Sequence, residues 1–223
     1  MVRLSVAELE AMTPEERLEI TSLNMNSMGL SEFPIVILTC TSLEYLHLSS
    51  NQLTSIPREL GNLEKLKLLS LHDNELTSIP RELGNLVNLD WLSMHDNELT
   101  SVPRELGNLV NLERLYLNDN ELTSVPRELG NLVNLERLHL GRNQLTRVPR
   151  ELGNLVNLKG LYLDTNQLTS VPRELGNIVI LQHSFSIPYS SGPEFLVVAR
   201  EIVDRVIGVN TFSDLGRLCV RFF

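Results

Sequence analysis

Apolar and polar positions follow one phrase that the chain repeats six times. In its third copy Leu89, Leu92 and Met94 hold the first, fourth and sixth places, Asn97 the ninth, Leu99 and Val102 the eleventh and fourteenth, and Leu106 and Leu109 the eighteenth and twenty-first. Copies begin at Leu43, Leu66, Leu89, Leu112, Leu135 and Leu158, 23 residues apart, and are numbered repeats 1 to 6. A degenerate copy precedes them, with Ile20, Leu23, Met25, Leu30 and Pro34 in phase and Met28 where Asn should be. The alternation around the fourth and sixth places predicts a short strand with its leucines inward. Every copy travels the same path, so the strands stack in parallel about 4.8 Å apart. A parallel strand cannot return by a tight turn, so the PRELGN stretch supplies the crossover on the outer face. One copy cannot enclose its own leucines; neighbours complete the core, and the chain reads as a solenoid. Each buried leucine contributes on the order of 1.5–3 kcal/mol.

Polar letters that never change mark what this scaffold needs. Asn51, Asn74, Asn97, Asn120, Asn143 and Asn166 keep the 23-residue step, as do Pro57, Pro80, Pro103, Pro126, Pro149 and Pro172. The asparagines sit where the strand leaves the sheet, and a side-chain amide can donate and accept for backbone groups of its own repeat and the next. They are read as architecture. The glycine of each GNL is read as a turn residue. Ser5–Glu8 and Thr13–Glu16 have capping-box spacing, and Pro14 suits a first helical turn, so residues 1–19 read as a helical cap. Residues 20–182 carry the repeats, and 183–223 read as a C-terminal cap in which Phe195, Val198, Ile202 and Val206 share one helical face.

The template LxxLxLxxNxLTSxPRELGNLxN resembles the leucine-rich repeats of the 23-residue, LPxxIxxL-like class. It is most similar to the intracellular set of Ras-suppressor-like and plant intracellular Ras-group repeat proteins. The resemblance covers roughly residues 20–182. It implies an α/β fold, a right-handed horseshoe with a parallel concave sheet and helical end caps, used for protein–protein recognition.

The repeats differ from one another mainly at four strand positions, and those line the inner curve. The third position reads Ser22, Tyr45, Leu68, Trp91, Arg114, Arg137, Gly160, and the fifth Asn24, His47, Ser70, Ser93, Tyr116, His139, Tyr162. The seventh reads Asn26, Ser49, His72, His95, Asn118, Gly141, Asp164, and the eighth Ser27, Ser50, Asp73, Asp96, Asp119, Arg142, Thr165. Exposed Ser, Arg and Glu of the outer face recur almost unchanged, so free drift does not explain the contrast. The chain's single Trp and three of its four Tyr fall in this set, and interfaces favour Tyr, Trp and Arg. Trp91, Tyr45, Tyr116 and Tyr162 are expected anchors. His47, His72, Asp73, His95, Asp96, Arg114, Asp119, Arg137 and His139 complete the candidate partner-binding set. Asp73, Asp96 and Asp119 stack, with Asp90 nearby, while Arg114, Arg137 and Arg142 gather later. The expected partner thus shows a basic patch to repeats 2–4 and an acidic one to repeats 4–6.

Composition narrows the rest. A net charge of −9 without a basic run disfavours nucleic acid. No stretch approaches the apolar length of a bilayer span, and MVRLSVAELE lacks a signal-peptide core. Two distant cysteines, Cys40 and Cys219, cannot build the disulfide caps of extracellular repeat proteins, so a monomer in the cytoplasm is expected. No phosphate-cradling loop or nucleophile motif appears, so neither enzyme activity nor a cofactor is expected. His72 and His95, each followed by Asp, have the residue types of a Zn(II) site, but neighbouring surface histidines are more often ordinary contacts and no metal is assigned. An alternative function lies in the tail. Leu215, Cys219 and Phe223 are similar to the box that docks elongin C in cullin-based ubiquitin ligases, which implies a substrate-recognition adaptor. Asp214 stands where that box has a small residue, and no downstream cullin box follows.

Overall fold

The structure, a computed structural model, describes residues 2–177. The expected C-terminal cap and the box at Leu215, Cys219 and Phe223 lie outside the described residues. Seven three-residue strands form one parallel sheet in chain order: β1 (Ser22–Asn24), β2 (Tyr45–His47), β3 (Leu68–Ser70), β4 (Trp91–Ser93), β5 (Arg114–Tyr116), β6 (Arg137–His139) and β7 (Gly160–Tyr162). Equivalent positions pair throughout, so Trp91 lies between Leu68 and Arg114, and Leu92 between Leu69 and Leu115. The middle leucine of each strand is buried, and its flanking residues project from the other face.

The crossovers are 3₁₀ turns, Arg58–Asn62, Arg81–Asn85, Arg104–Asn108, Arg127–Asn131, Arg150–Asn154 and Arg173–Asn177. From the first to the fifth a proline opens the turn, with φ between −72° and −64°, the angle its ring imposes. Between sheet and turns run columns of buried leucine, such as Leu60, Leu83, Leu106 and Leu129. On the outer surface each PREL pairs its own Arg and Glu, as in Arg58–Glu59 at 3.0 Å and Arg127–Glu128 at 3.3 Å. Those arginines are largely exposed, so the pairs add little stability.

The turn glycines have a different role from the one expected. Among the described glycines only Gly29 has a positive φ. A Cβ on Gly107 would instead lie 2.4 Å from the Glu128 carbonyl oxygen of the next repeat, and one on Gly61 2.2 Å from that of Glu82. Glycine is required there because the neighbouring backbone fills the space.

The asparagine ladder forms, but it reaches backward. Asn97 Nδ2 donates to Met94 O at 3.1 Å in its own repeat and to Leu71 O at 3.0 Å in the preceding one. Its Oδ1 accepts from Leu76 N, also in the preceding repeat, at 3.0 Å. Asn74, Asn120, Asn143 and Asn166 repeat the pattern. At the start, Asn51 Oδ1 accepts from both Met28 N and Leu30 N, tying in the degenerate copy.

Both capping boxes close, over helices α1 (Val6–Ala11) and α2 (Pro14–Leu18). Leu9 of α1 is fully buried, and both helices pack on the 3₁₀ turn Ile35–Thr39. Ahead of them Val2 pairs with β1: its N–H donates to Ser22 O and its carbonyl accepts from Asn24 N, which covers that sheet edge. Because the amide of Asn97 satisfies backbone groups of two repeats, Asn97→Ala is expected to destabilise the chain by about 1–3 kcal/mol. Urea unfolding measures this, and an unchanged midpoint would remove the ladder from the account of stability.

Candidate binding face on the inner side of the sheet

In-register parallel strands set equivalent side chains one strand apart, so a ring at the fifth or seventh position meets its counterpart in the next repeat. His72 and His95 stack with centroids 4.4 Å apart and planes 11° from parallel. His95 meets Tyr116 edge-on at 6.4 Å; Tyr116 packs on His139 at 4.6 Å, and His139 stacks on Tyr162 at 3.9 Å. Trp91 joins from the third position, 5.5 Å from Tyr116. A continuous ladder of rings therefore crosses repeats 2 to 6. Each such pair contributes about 0.5–1.5 kcal/mol beyond burial. Stacking hides most ring faces and leaves the edges toward the open side. Tyr45 and His47 join no ring contact among the described residues; Tyr45 is exposed, and His47 is half-buried.

Polar partners hold the ladder in place. His72 Nδ1 lies 2.9 Å from Ser49 Oγ and 3.0 Å from Ser70 Oγ, which are 2.7 Å apart. Ser49, Ser70 and Ser93 were expected on the outward surface; all three are buried, and Ser49 and Ser70 lie against His72. His95 Nδ1 donates to Asp96 Oδ2 at 2.6 Å. Although the two histidines meet, no group of three or more metal-ligating residues assembles among the described residues.

Charge is arranged partly within the chain itself. Arg114 Cζ lies 5.0 Å over the Trp91 ring, a cation–π contact, and its Nε is buried without an acceptor among the described residues. Arg142 Nη1 donates to Asp119 Oδ1 at 3.3 Å, and Asn118 Nδ2 donates to Asp119 Oδ2 at 2.8 Å. The acidic stack also has a backbone cause that the letters alone conceal. Every eighth position, from Ser27 to Thr165, is left-handed, with φ between 50° and 57°. Asp tolerates that region better than most residues, so Asp73, Asp96 and Asp119 suit the turn as well as a partner.

A second asparagine ladder and an edge groove were missed. Asn88, Asn111, Asn134 and Asn157 donate to the carbonyls of Glu64, Val87, Val110 and Val133 in the preceding repeat, at 2.8–2.9 Å. With Lys67, Asp90, Glu113 and Glu136 they line an open groove of about 590 Å³ beside the ladder. Lys67 pairs with Glu44 at 2.8 Å, and Lys159 pairs with Glu136. The signal was available: the second position reads Glu44, Lys67, Asp90, Glu113, Glu136, Lys159 and varies as the other four do.

The sequence profile of the leucine rich repeat family matches residues 41–99, 87–145 and 110–168, together more than half of the chain. The chain belongs to the leucine-rich-repeat family. No curated protein matches it in sequence. The leucine-rich-repeat ectodomain of the Arabidopsis thaliana membrane receptor kinase GASSHO1/SCHENGEN3, solved in complex with CASPARIAN STRIP INTEGRITY FACTOR 2, is 36% identical with a TM-score of 0.67, over 75% of this chain and 21% of that one. A leucine-rich-repeat protein of Leptospira interrogans is 29% identical with a TM-score of 0.59, over 90% and 63%. The plant peptide hormone receptor RGFR1 in complex with RGF2 is 29% identical with a TM-score of 0.65, over 77% and 29%. This leucine-rich-repeat chain thus spans about a fifth to under two thirds of the length of these relatives. The narrower likeness to Ras-suppressor-like proteins rests on the repeat letters alone. No helix among the described residues is long and apolar enough to cross a membrane.

Burial depresses three of the imidazoles of this repeat face. It holds His47 and His72 below the ordinary range, with His95 adding to the effect at His72, and pushes His139 down to about 4, with Arg137 contributing. The unfolded chain therefore takes up these protons first as pH falls. The neutral rings' contribution to stability is complete above about pH 6.5 and is lost progressively toward about pH 4. His139→Phe keeps a ring between Tyr116 and Tyr162 but cannot titrate. It is expected to shrink the fall in melting temperature between about pH 7 and about pH 5; an unchanged fall would remove His139 as a cause.

Proposed function

We propose that the chain is a protein-recognition module whose concave face captures a segment of a partner protein. The observation that carries this reading is the ladder of rings from His72 to Tyr162, with Trp91 beside it, on the face where the repeats differ. Trp91, Tyr116 and Tyr162 supply rigid aromatic area within the ladder, and exposed Tyr45 adds a separate contact at its near end. His72, His95, Asp96, Arg114 and Arg137 set which partner fits. Two of the relatives described above, GASSHO1/SCHENGEN3 and RGFR1, were solved in complex with a partner, which suits a binding role for this fold. The module works without chemistry of its own, as a monomer in a reducing compartment such as the cytoplasm. Cys40, buried and in no disulfide among the described residues, suits that compartment.

Trp91→Ala combined with Tyr116→Ala tests the reading. Both side chains lie on the open side of the sheet, so the double variant is expected to keep its far-ultraviolet spectrum and cooperative melting while losing capture of the partner that the wild type retrieves. Unimpaired capture by a folded double variant would overturn the concave site.

A further inference from the structure

Four of the chain's five histidines lie on the inner face, His47 and His139 at the fifth position and His72 and His95 at the seventh. The two ends of their ladder differ. His139 is enclosed between Tyr116 and Tyr162, with Arg137 facing it on its own strand and Asp164 from the next repeat. The other end is more open and more acidic. Asp73 and Asp96 follow His72 and His95 and are both exposed. The groups facing His72 are Ser49, Ser70, His47, His95, Asp73 and Asp96; those in contact with His95 are His72, Tyr116 and Asp96. The nearby arginines are engaged, Arg114 over Trp91 and Arg142 on Asp119. Arg114 also shows from within the chain that this aromatic surface accepts a guanidinium.

We propose that the acidic end of this face, around Asp73, Asp96 and Trp91, takes an arginine- or lysine-bearing segment of the partner while His72 and His95 are neutral, and releases it when either is protonated. The proposal deepens the concave-face reading and rests on it. With neutral rings, the two exposed carboxylates stand within a Debye length of any cation seated beside them. A proton on His95 turns the 2.6 Å hydrogen bond to Asp96 into an internal ion pair, so that carboxylate no longer serves the guest. His72 has its Nδ1 held by two hydroxyls, so an added proton places a cation between Asp73 and Asp96 with the same effect. The stack separates the two protonations: two imidazolium rings 4.4 Å apart repel, so a first proton on either ring holds off the second.

The test uses the full chain and a capped peptide of alternating glycine and arginine, with alternating glycine and glutamate as control. Trp91, the only tryptophan, reports binding by its fluorescence. Saturable binding of the arginine peptide alone is expected at about pH 7.5, and about tenfold weaker binding at about pH 5, the effect of losing two partly exposed charge pairs. By linkage, saturating peptide must then move the first titration step of the His72–His95 pair, followed by ring-proton resonances, to lower pH by about one pH unit. Absence of binding at pH 7.5, equal affinity at both pH values or an unmoved first step would each overturn the proposal. If the peptide fails here while the Trp91/Tyr116 double variant still loses its partner, concave recognition stands and only the basic, proton-gated guest falls.

Discussion

Each repeat lies on its predecessor along its whole length, and almost everything else in the molecule follows from that contact. On the sheet side the contact is made by the asparagine amide, which donates to carbonyls in two repeats and accepts an N–H from the earlier one. On the outer side it is made where glycine admits the next repeat's glutamate carbonyl into the space a Cβ would fill. These junctions leave no freedom in the letters that form them. They recur through the six regular repeats, since a regular repeat that lost its asparagine would leave backbone groups of two repeats without a partner. Near-identity of the copies is therefore a packing requirement at Asn, Gly and the leucines.

Strict register has a second consequence on the open face. Equivalent positions sit one strand apart, so side chains there form columns whether or not they touch the core. Two rings in a column stack, as His72 and His95 do, and a ring beside a long cation receives it, as Trp91 receives Arg114. The scaffold thus turns a few differing letters into a contiguous surface. That surface combines aromatic edges with carboxylates and half-buried imidazoles, a combination suited to reading both the shape and the charge of a guest.

Periodicity made the strands, the buried leucine columns and the outer crossovers readable in the sequence, and Ser–Glu and Thr–Glu spacing did the same for both N-terminal capping boxes. Contacts between repeats were less so. The asparagine was expected to serve the next repeat and serves the preceding one, because the direction depends on how successive turns are offset. The GNL glycine looks like a turn residue in one dimension, and its close approach to Glu128 or Glu82 exists only in three. Ser49 and Ser70 occupy outward positions yet are buried against His72, a contact between positions two and more residues apart that periodicity does not show. Asp73, Asp96 and Asp119 seemed a purely electrostatic feature until the backbone proved left-handed at that position throughout. The constant Asn88, Asn111, Asn134 and Asn157 and the varying second position were visible in the letters, but nothing local indicated that they border a groove.

The central claim is that invariant letters hold the shape while varying letters of the inner face meet the partner. Amide hydrogen exchange of the wild-type chain, with and without the partner it captures, tests this most directly. The account predicts added protection in β3 to β6 and at the left-handed turns that follow them, with the outer 3₁₀ turns from Arg58–Asn62 to Arg150–Asn154 exchanging as before. Protection gathered on those outer turns, with the strands unchanged, would contradict it.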